Sequence, residues 1–82
     1  MDVGDERFRF YFDGASDEIL HITRRHGITP EQAIRVFLDG DTTWDEAHTR
    51  FETVTATHTL YWARHASDGS VVVITCFAGR TQ

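Results

Sequence analysis

The run Val71-Val72-Val73-Ile74-Thr75-Cys76-Phe77 constrains the fold of this 82-residue chain more than any other feature. It is apolar on both faces of an extended strand, a pattern typical of a strand in the interior of a sheet. We therefore predict that it is the most central strand, covered by helices on one side and by a partner or long side chains on the other. Two further strands are predicted at residues 50–56 and 58–65, and a turn at residues 67–69 joins the last two strands.

Two helices are predicted in the first half of the chain. Residues 18–26 form the first helix, which ends in basic residues before Gly27 at the C′ position. The start of the second is marked by Thr29-Pro30-Glu31-Gln32. This segment combines an N-cap threonine, a proline in the first turn and a glutamine at the spacing of a capping box. The second helix carries a broad apolar stripe and ends at Gly40.

The predicted fold class is α+β, with the element order β-α-α-β-β-β. Residues 8–12 form the first strand, because phenylalanines alternate there with Arg9 and Tyr11. We expect two layers, with both helices packed on a mostly antiparallel four-stranded sheet in a single domain spanning residues 1–82. Residues 1–7 are expected to be a flexible start, residues 79–82 a short tail, and residues 41–49 an irregular edge strand or loop.

Charge and cysteine content narrow the functional classes. The net charge is −5, and residues 1–49 contain eleven acidic against five basic side chains, whereas residues 50–82 contain two against three. The single Cys76 predicts a reducing, cytoplasmic environment, since no intramolecular disulfide can form. The five histidines show no metal-binding spacing, so neither a metal nor another cofactor is expected. No apolar run is long enough to predict a membrane span.

The remaining polar side chains are of the types that support metal-free RNA cleavage. In such a reaction a general base deprotonates the 2′-hydroxyl, an arginine stabilises charge on the phosphate, and an acid protonates the leaving oxygen. Arg50 and Glu52 share a face of their strand. The alternative to a catalytic role is that they form an exposed cross-strand ion pair. His26 either caps the first helix or takes part in catalysis. The candidate catalytic residues are Arg50, His26, Glu52 and Arg64, and the candidate RNA-binding residues are Arg24, Arg25, Tyr61, His65 and Arg80.

Two tryptophans offer further contact surfaces. Trp62 shares a strand face with Leu60 and Arg64 and is expected to pack in the core. Trp44 lies in a polar segment and is the better candidate for a contact with RNA bases or another molecule.

Three segments resemble the BrnT-type toxins. Arg25-His26-Gly27-Ile28-Thr29-Pro30-Glu31-Gln32-Ala33, followed by Val36-Phe37, is similar to the helix-turn-helix segment of that family. Thr49-Arg50-Phe51-Glu52 resembles the start of a family strand, and the apolar run at residues 71–77 stands where the family has its last strand. The resemblance covers about residues 8–78, and its first motif is the most specific.

The resemblance implies a RelE-like α+β fold and a ribonuclease that arrests translation. It also implies a cognate antitoxin that binds DNA and represses the operon. Arg50 and, more weakly, His26 match family positions. Val72 and Phe77 stand where the family has arginines. The function expected is therefore a small metal-free endoribonuclease toxin. The alternative is a non-catalytic protein-binding or regulatory module whose acidic first half meets a basic partner. A homodimer is a further expectation, because so short a chain buries little surface by itself.

Overall fold

A six-stranded mixed sheet dominates the computed structural model, which describes residues 2–10 and 26–79. The elements are β1 (Asp2–Val3), β2 (Glu6–Phe10), α1 (Pro30–Asp39), β3 (Asp41–Asp45), β4 (Arg50–Val54), β5 (His58–Arg64) and β6 (Val71–Ala78). Their order across the sheet is β1-β2-β6-β5-β4-β3. Strands β3 to β6 form an antiparallel meander, whereas β2 pairs with β6 in parallel.

The apolar strand β6 has an interior position, as the sequence predicts. It pairs with β2 on one side and with β5 on the other. Val71, Val73 and Cys76 on this strand are buried. A register shift opposite Tyr61 and Trp62 inserts one extra residue into β6, which leaves the alternation of faces intact on either side of it.

Helix α1 begins where the sequence predicts. Thr29 Oγ1 accepts the backbone N–H of Gln32 at 3.2 Å, and Gln32 Oε1 accepts the backbone N–H of Thr29 at 2.8 Å, so the predicted capping box is confirmed. Before it, Gly27 has a φ of 68°, the left-handed conformation that the predicted C′ position needs.

One aromatic row fixes α1 on the sheet. The ring of Phe37 contacts the rings of Phe8 and Trp62 edge-on, with centroids 5.1 and 4.9 Å apart. Trp62 stacks on Phe51, whose ring contacts Trp44. We call this side of the sheet the helix face. Most of the buried core lies between it and α1, and the predicted core position of Trp62 is confirmed.

The predicted fold class is wrong. The described residues form a six-stranded mixed sheet with one short helix, not two helices on a four-stranded, mostly antiparallel, RelE-like sheet. The helix predicted at 18–26 lies, except for His26, outside the described residues. The sheet is larger because Asp41–Asp45 forms a regular strand and because Asp2–Val3 pairs with Glu6–Arg7. It is mixed because the first long strand joins the last one in parallel, a long-range pairing that local patterns do not encode.

The size of the molecule fits one compact domain. The Cα radius of gyration is 12.1 Å, close to the ~12 Å expected for a compact chain of this length. In the part of the chain that the structure describes, α1 is too short and too polar to cross a membrane.

Candidate functional site

The sheet side opposite the helix face carries three candidate residues, Arg50, Glu52 and Tyr61, together with Phe77. We call it the far face. Strand register explains the grouping, because Glu52 pairs with Tyr61 across β4 and β5, and Tyr61 pairs with Thr75 across β5 and β6. Side chains that are directly opposite or two residues apart in paired strands share a face.

Arg50 is held in place by two neighbours. Its guanidinium carbon lies 3.6 Å from the centroid of the Tyr61 ring, a cation–π contact, and its Nε donates to Asp45 Oδ2 at 3.3 Å. Only 21% of the Arg50 side chain is exposed. The planar guanidinium therefore uses one face on an aromatic ring and one edge on a carboxylate.

Asp45 is the second centre of this group. Its Oδ2 also lies 2.9 Å from His48 Nδ1, and its Oδ1 accepts the backbone N–H of His48. Burial raises the pKa of the Asp45 carboxyl, but hydrogen bonds and charge from His48, and the hydrogen bond from Arg50, outweigh it, so the pKa lies below its ordinary value. Asp45 thus stays ionised and balances the charge of Arg50. No sequence motif predicts a role for Asp45, because its position opposite Arg50 follows only from the β3–β4 register.

His26 lies at the same side of the molecule. Its ring centroid is 5.8 Å from that of Phe77, which in turn is 5.8 Å from that of Tyr61. Phe77 therefore lies between His26 and the Arg50–Tyr61 pair. The structure brings together Arg50, Glu52 and Tyr61, and it adds His26 through an aromatic neighbour.

Arg64 lies on the helix face and does not join this group. Its two terminal nitrogens contact the two carboxylate oxygens of Glu6 at 2.6 and 3.0 Å, and Nη1 also donates to the carbonyl of Gly69. The guanidinium carbon is 5.2 Å from the Trp62 ring. The hydrogen bond and charge of Arg64 lower the pKa of Glu6. Arg64 therefore ties β5 to β2 through a bidentate ion pair.

His65 lies in the turn between β5 and β6. Its Nδ1 is 2.8 Å from Ser67 Oγ and 3.7 Å from Asp68 Oδ1. Both contacts use the same ring nitrogen, so these three side chains form a local turn network rather than a relay through both nitrogens of the imidazole. The other candidates, Arg24, Arg25 and Arg80, lie outside the described residues.

Every arginine of the described ranges 2–10 and 26–79 has a carboxylate within 4 Å. The pairs are Arg7–Asp2, Arg9–Asp68, Arg35–Asp39, Arg50–Asp45 and Arg64–Glu6. A phosphate would have to compete with a carboxylate at each of these cations. Few aromatic rings are free to stack on RNA bases. Tyr61 and Trp62 are buried, and Trp44 alone, among the described tyrosines and tryptophans, exposes nearly half of its surface.

Two other kinds of chemistry receive no support from the described residues. Burial raises the pKa of the Cys76 thiol to about 11, so a thiolate nucleophile is disfavoured at neutral pH. Among the residues that the structure describes, no three His, Cys, Asp or Glu side chains converge on a metal-sized position.

An open cleft of about 750 Å³ lies between α1 and the β4–β5 turn. Its lining includes the acidic residues Glu31, Asp39 and Asp41 together with Arg35 and His58. Asp41 is also the first residue of β3, so acidic side chains continue from the cleft onto the edge of the sheet.

Comparison of this sequence with protein-family models, with curated proteins and with solved structures gives no match. The resemblance to BrnT-type toxins therefore stays a prediction.

Proposed function

We propose that this protein is a non-catalytic, protein-binding module whose partner is a basic protein. The observation that carries the proposal is the distribution of charge at its described surface. All five described arginines are paired with carboxylates. Residues 39–46 contain four acidic and no basic residues, and of these four Asp39 and Asp45 lie within 4 Å of a described arginine whereas Asp41 and Glu46 do not.

This charge distribution favours binding of a positively charged partner over binding of nucleic acid phosphates. Binding to nucleic acid gains most of its affinity from unpaired lysines and arginines that neutralise phosphates. A net charge of −5 with paired arginines works against that gain, and it accelerates encounter with a basic protein. The proposed compartment is the cytoplasm, because Cys76 is a free thiol.

Fluorescence anisotropy tests the proposal with three labelled probes: a lysine-rich peptide, the same peptide with glutamate in place of lysine, and a single-stranded RNA of matched length. We expect the lysine-rich peptide alone to bind, with an affinity that falls as salt rises. Tighter binding of the RNA would overturn the proposal.

A metal-free endoribonuclease toxin with a cognate antitoxin is the second candidate. It is favoured by the joint position of Arg50, Glu52 and Tyr61 on the far face, with His26 close by, and by the resemblance at residues 25–33 and 49–52. In this candidate, Arg50 stabilises charge on the phosphate and either His26 or Glu52 transfers protons.

Induced expression of the chain alone, with measurement of growth and of cellular RNA integrity, tests this second candidate. If the chain is a ribonuclease, Arg50→Ala relieves growth arrest and RNA cleavage while the circular dichroism spectrum stays unchanged. Arg35→Ala is the matched control, because it removes an exposed arginine that is also paired with an aspartate. Normal growth and intact RNA with folded, abundant wild-type protein would contradict the toxin candidate.

A further inference from the structure

Strand β3 forms one edge of the sheet. Its inner side pairs with β4 over all five residues, from Asp41 opposite Val54 to Asp45 opposite Arg50. No strand in the described ranges pairs with its outer side, and the other edge of the sheet is the two-residue strand β1. An unpaired edge of this length is a template for another extended chain.

The ladder shows which backbone groups face outward. Thr55 N donates to the carbonyl of His58, and hydrogen-bonded pairs alternate along an antiparallel ladder, so Thr53 and Phe51 also bond towards β5. The residues between them bond towards β3, where their partners are Asp41, Thr43 and Asp45. The N–H and C=O groups of Thr42 and Trp44 therefore point away from the sheet.

The side chains at this edge divide by face. Thr42 and Trp44 lie on the helix face, where the Trp44 ring ends the aromatic row that continues through Phe51 and Trp62. Trp44 remains 47% exposed. Asp41 and Asp45 lie on the far face, at the two ends of the strand. An added strand would thus meet the Trp44 ring and the Thr42 side chain on one face and carboxylates on the other.

Charge decides between the two classes of occupant. If a second copy paired its β3 antiparallel about Thr43, Asp41 of each copy would lie directly opposite Asp45 of the other. Like charges directly opposite each other destabilise a strand pair. A basic segment places lysine or arginine at the same two positions and gains attraction instead, chiefly at Asp41, because Asp45 already pairs with Arg50 and contacts His48.

We propose that the outer edge of β3 binds a basic, extended segment of a partner protein as a seventh strand. This inference rests on the proposed function and names the binding site and the partner's chemistry. The segment carries lysine or arginine at two positions four residues apart, opposite Asp41 and Asp45. Its residues opposite Thr42 and Trp44 are apolar and extend the aromatic row.

The test uses a fluorescein-labelled peptide, Gly-Ser-Lys-Val-Thr-Val-Lys-Ser-Gly, and the full chain. Its central five residues read the same in both directions, so one peptide fits parallel and antiparallel pairing. We expect binding that is lost when both lysines are replaced by glutamate. In addition, amide hydrogen exchange should show that the peptide protects the N–H groups of Thr42 and Trp44 but not that of Val3 on the other edge.

Matched variants separate the contribution of backbone hydrogen bonds to peptide binding from the contribution of side chains. Thr42→Pro removes an outward N–H and should weaken peptide binding by at least about tenfold, whereas Thr42→Val keeps the N–H and should bind within about twofold of wild type. Asp41→Asn should weaken binding about threefold, and Asp5→Asn, the same change in the exposed β1–β2 turn, should leave it unchanged. The exchange measurement on wild-type protein decides the question if Thr42→Pro fails to fold.

Each contrary result has a distinct meaning. Peptide binding without protection of Thr42 and Trp44 overturns the edge site but leaves the protein-binding function standing. Failure of the wild-type chain to bind any lysine-rich probe overturns both. Protection of Thr42 and Trp44 in the free chain at rising concentration, with a dimer that Thr42→Pro converts to a monomer, would make a second copy the occupant and overturn the proposed basic partner.

Discussion

Asp68 organises the connection between β5 and β6. Its Oδ1 accepts the backbone N–H of Ser70 at 2.9 Å, and its Oδ2 accepts Arg9 Nη2. Hydrogen bonds from the side chain and backbone of Ser70, followed by that from Arg9, hold the pKa of the Asp68 carboxyl far below its ordinary value. One side chain thus joins a turn to the neighbouring strand β2.

The lowered pKa of Asp68 predicts that the folded state loses stability at acidic pH. A carboxyl whose pKa is lower in the folded than in the unfolded state adds stability above the unfolded pKa of about 4, and that stability is lost as the pH falls below this value. Asp68→Asn should therefore lower the melting temperature at pH 7, and the difference from wild type should shrink as the pH falls below about 4. Thermal melts from pH 7 to pH 2 measure it. Asp5→Asn serves as the control, and an equal loss at all pH values would contradict the argument.

Between α1 and β3 the chain turns within a single residue, Gly40. A Cβ atom there would lie 2.6 Å from Thr53 Cγ2 and 2.9 Å from the carbonyl oxygens of Val36 and Val54. The φ of Gly40 is −87°, so close approach rather than backbone conformation requires glycine. This contact lets β3 follow the helix directly and pair along β4.

Replacement of Gly40 tests whether that close approach is needed. Two of the three clashing atoms belong to the backbone and cannot turn aside, so Gly40→Ala should lower the free energy of unfolding by about 1–3 kcal/mol. Urea denaturation followed by circular dichroism measures the change. Asp41→Ala alters the adjacent, exposed residue and should stay within about 0.5 kcal/mol. Equal stability of Gly40→Ala and wild type would show that α1 and β3 can move apart freely.

The elements differ in how far the sequence predicts them. Helix α1 is predictable because Thr29 and Gln32 form a local capping box, and β6 because its apolar run is unbroken. Strand β3 is harder to predict, since its aspartates are typical of loops and its alternation rests on Thr42 and Trp44 alone. Within the site, the shared face of Arg50 and Glu52 follows from period two. Period two also places Arg64 on the face of Trp62, but only the β4–β5 register shows that this face is opposite to that of Arg50.

Across the whole molecule, one core on the helix face joins elements that are distant in sequence. Phe37 on α1 contacts Phe8 on β2 and Trp62 on β5, so it bridges both sides of the central strand β6. A side chain in that position contributes to a single cooperative unit rather than to the helix alone. The stability of the β3 edge therefore depends on packing at Phe37.

Phe37→Ala tests this cooperativity. Removal of a ring that packs between two aromatic neighbours should lower the free energy of unfolding by about 3 kcal/mol. Leu38→Ala, at the next position of the same helix, removes a side chain that is 56% exposed and should cost less than about 0.5 kcal/mol. Far-ultraviolet circular dichroism and tryptophan fluorescence should report the same shifted midpoint for Phe37→Ala, because Trp44 and Trp62 belong to the same aromatic row. Two separate transitions, or a midpoint equal to that of Leu38→Ala, would show that the helix and the sheet do not share one core.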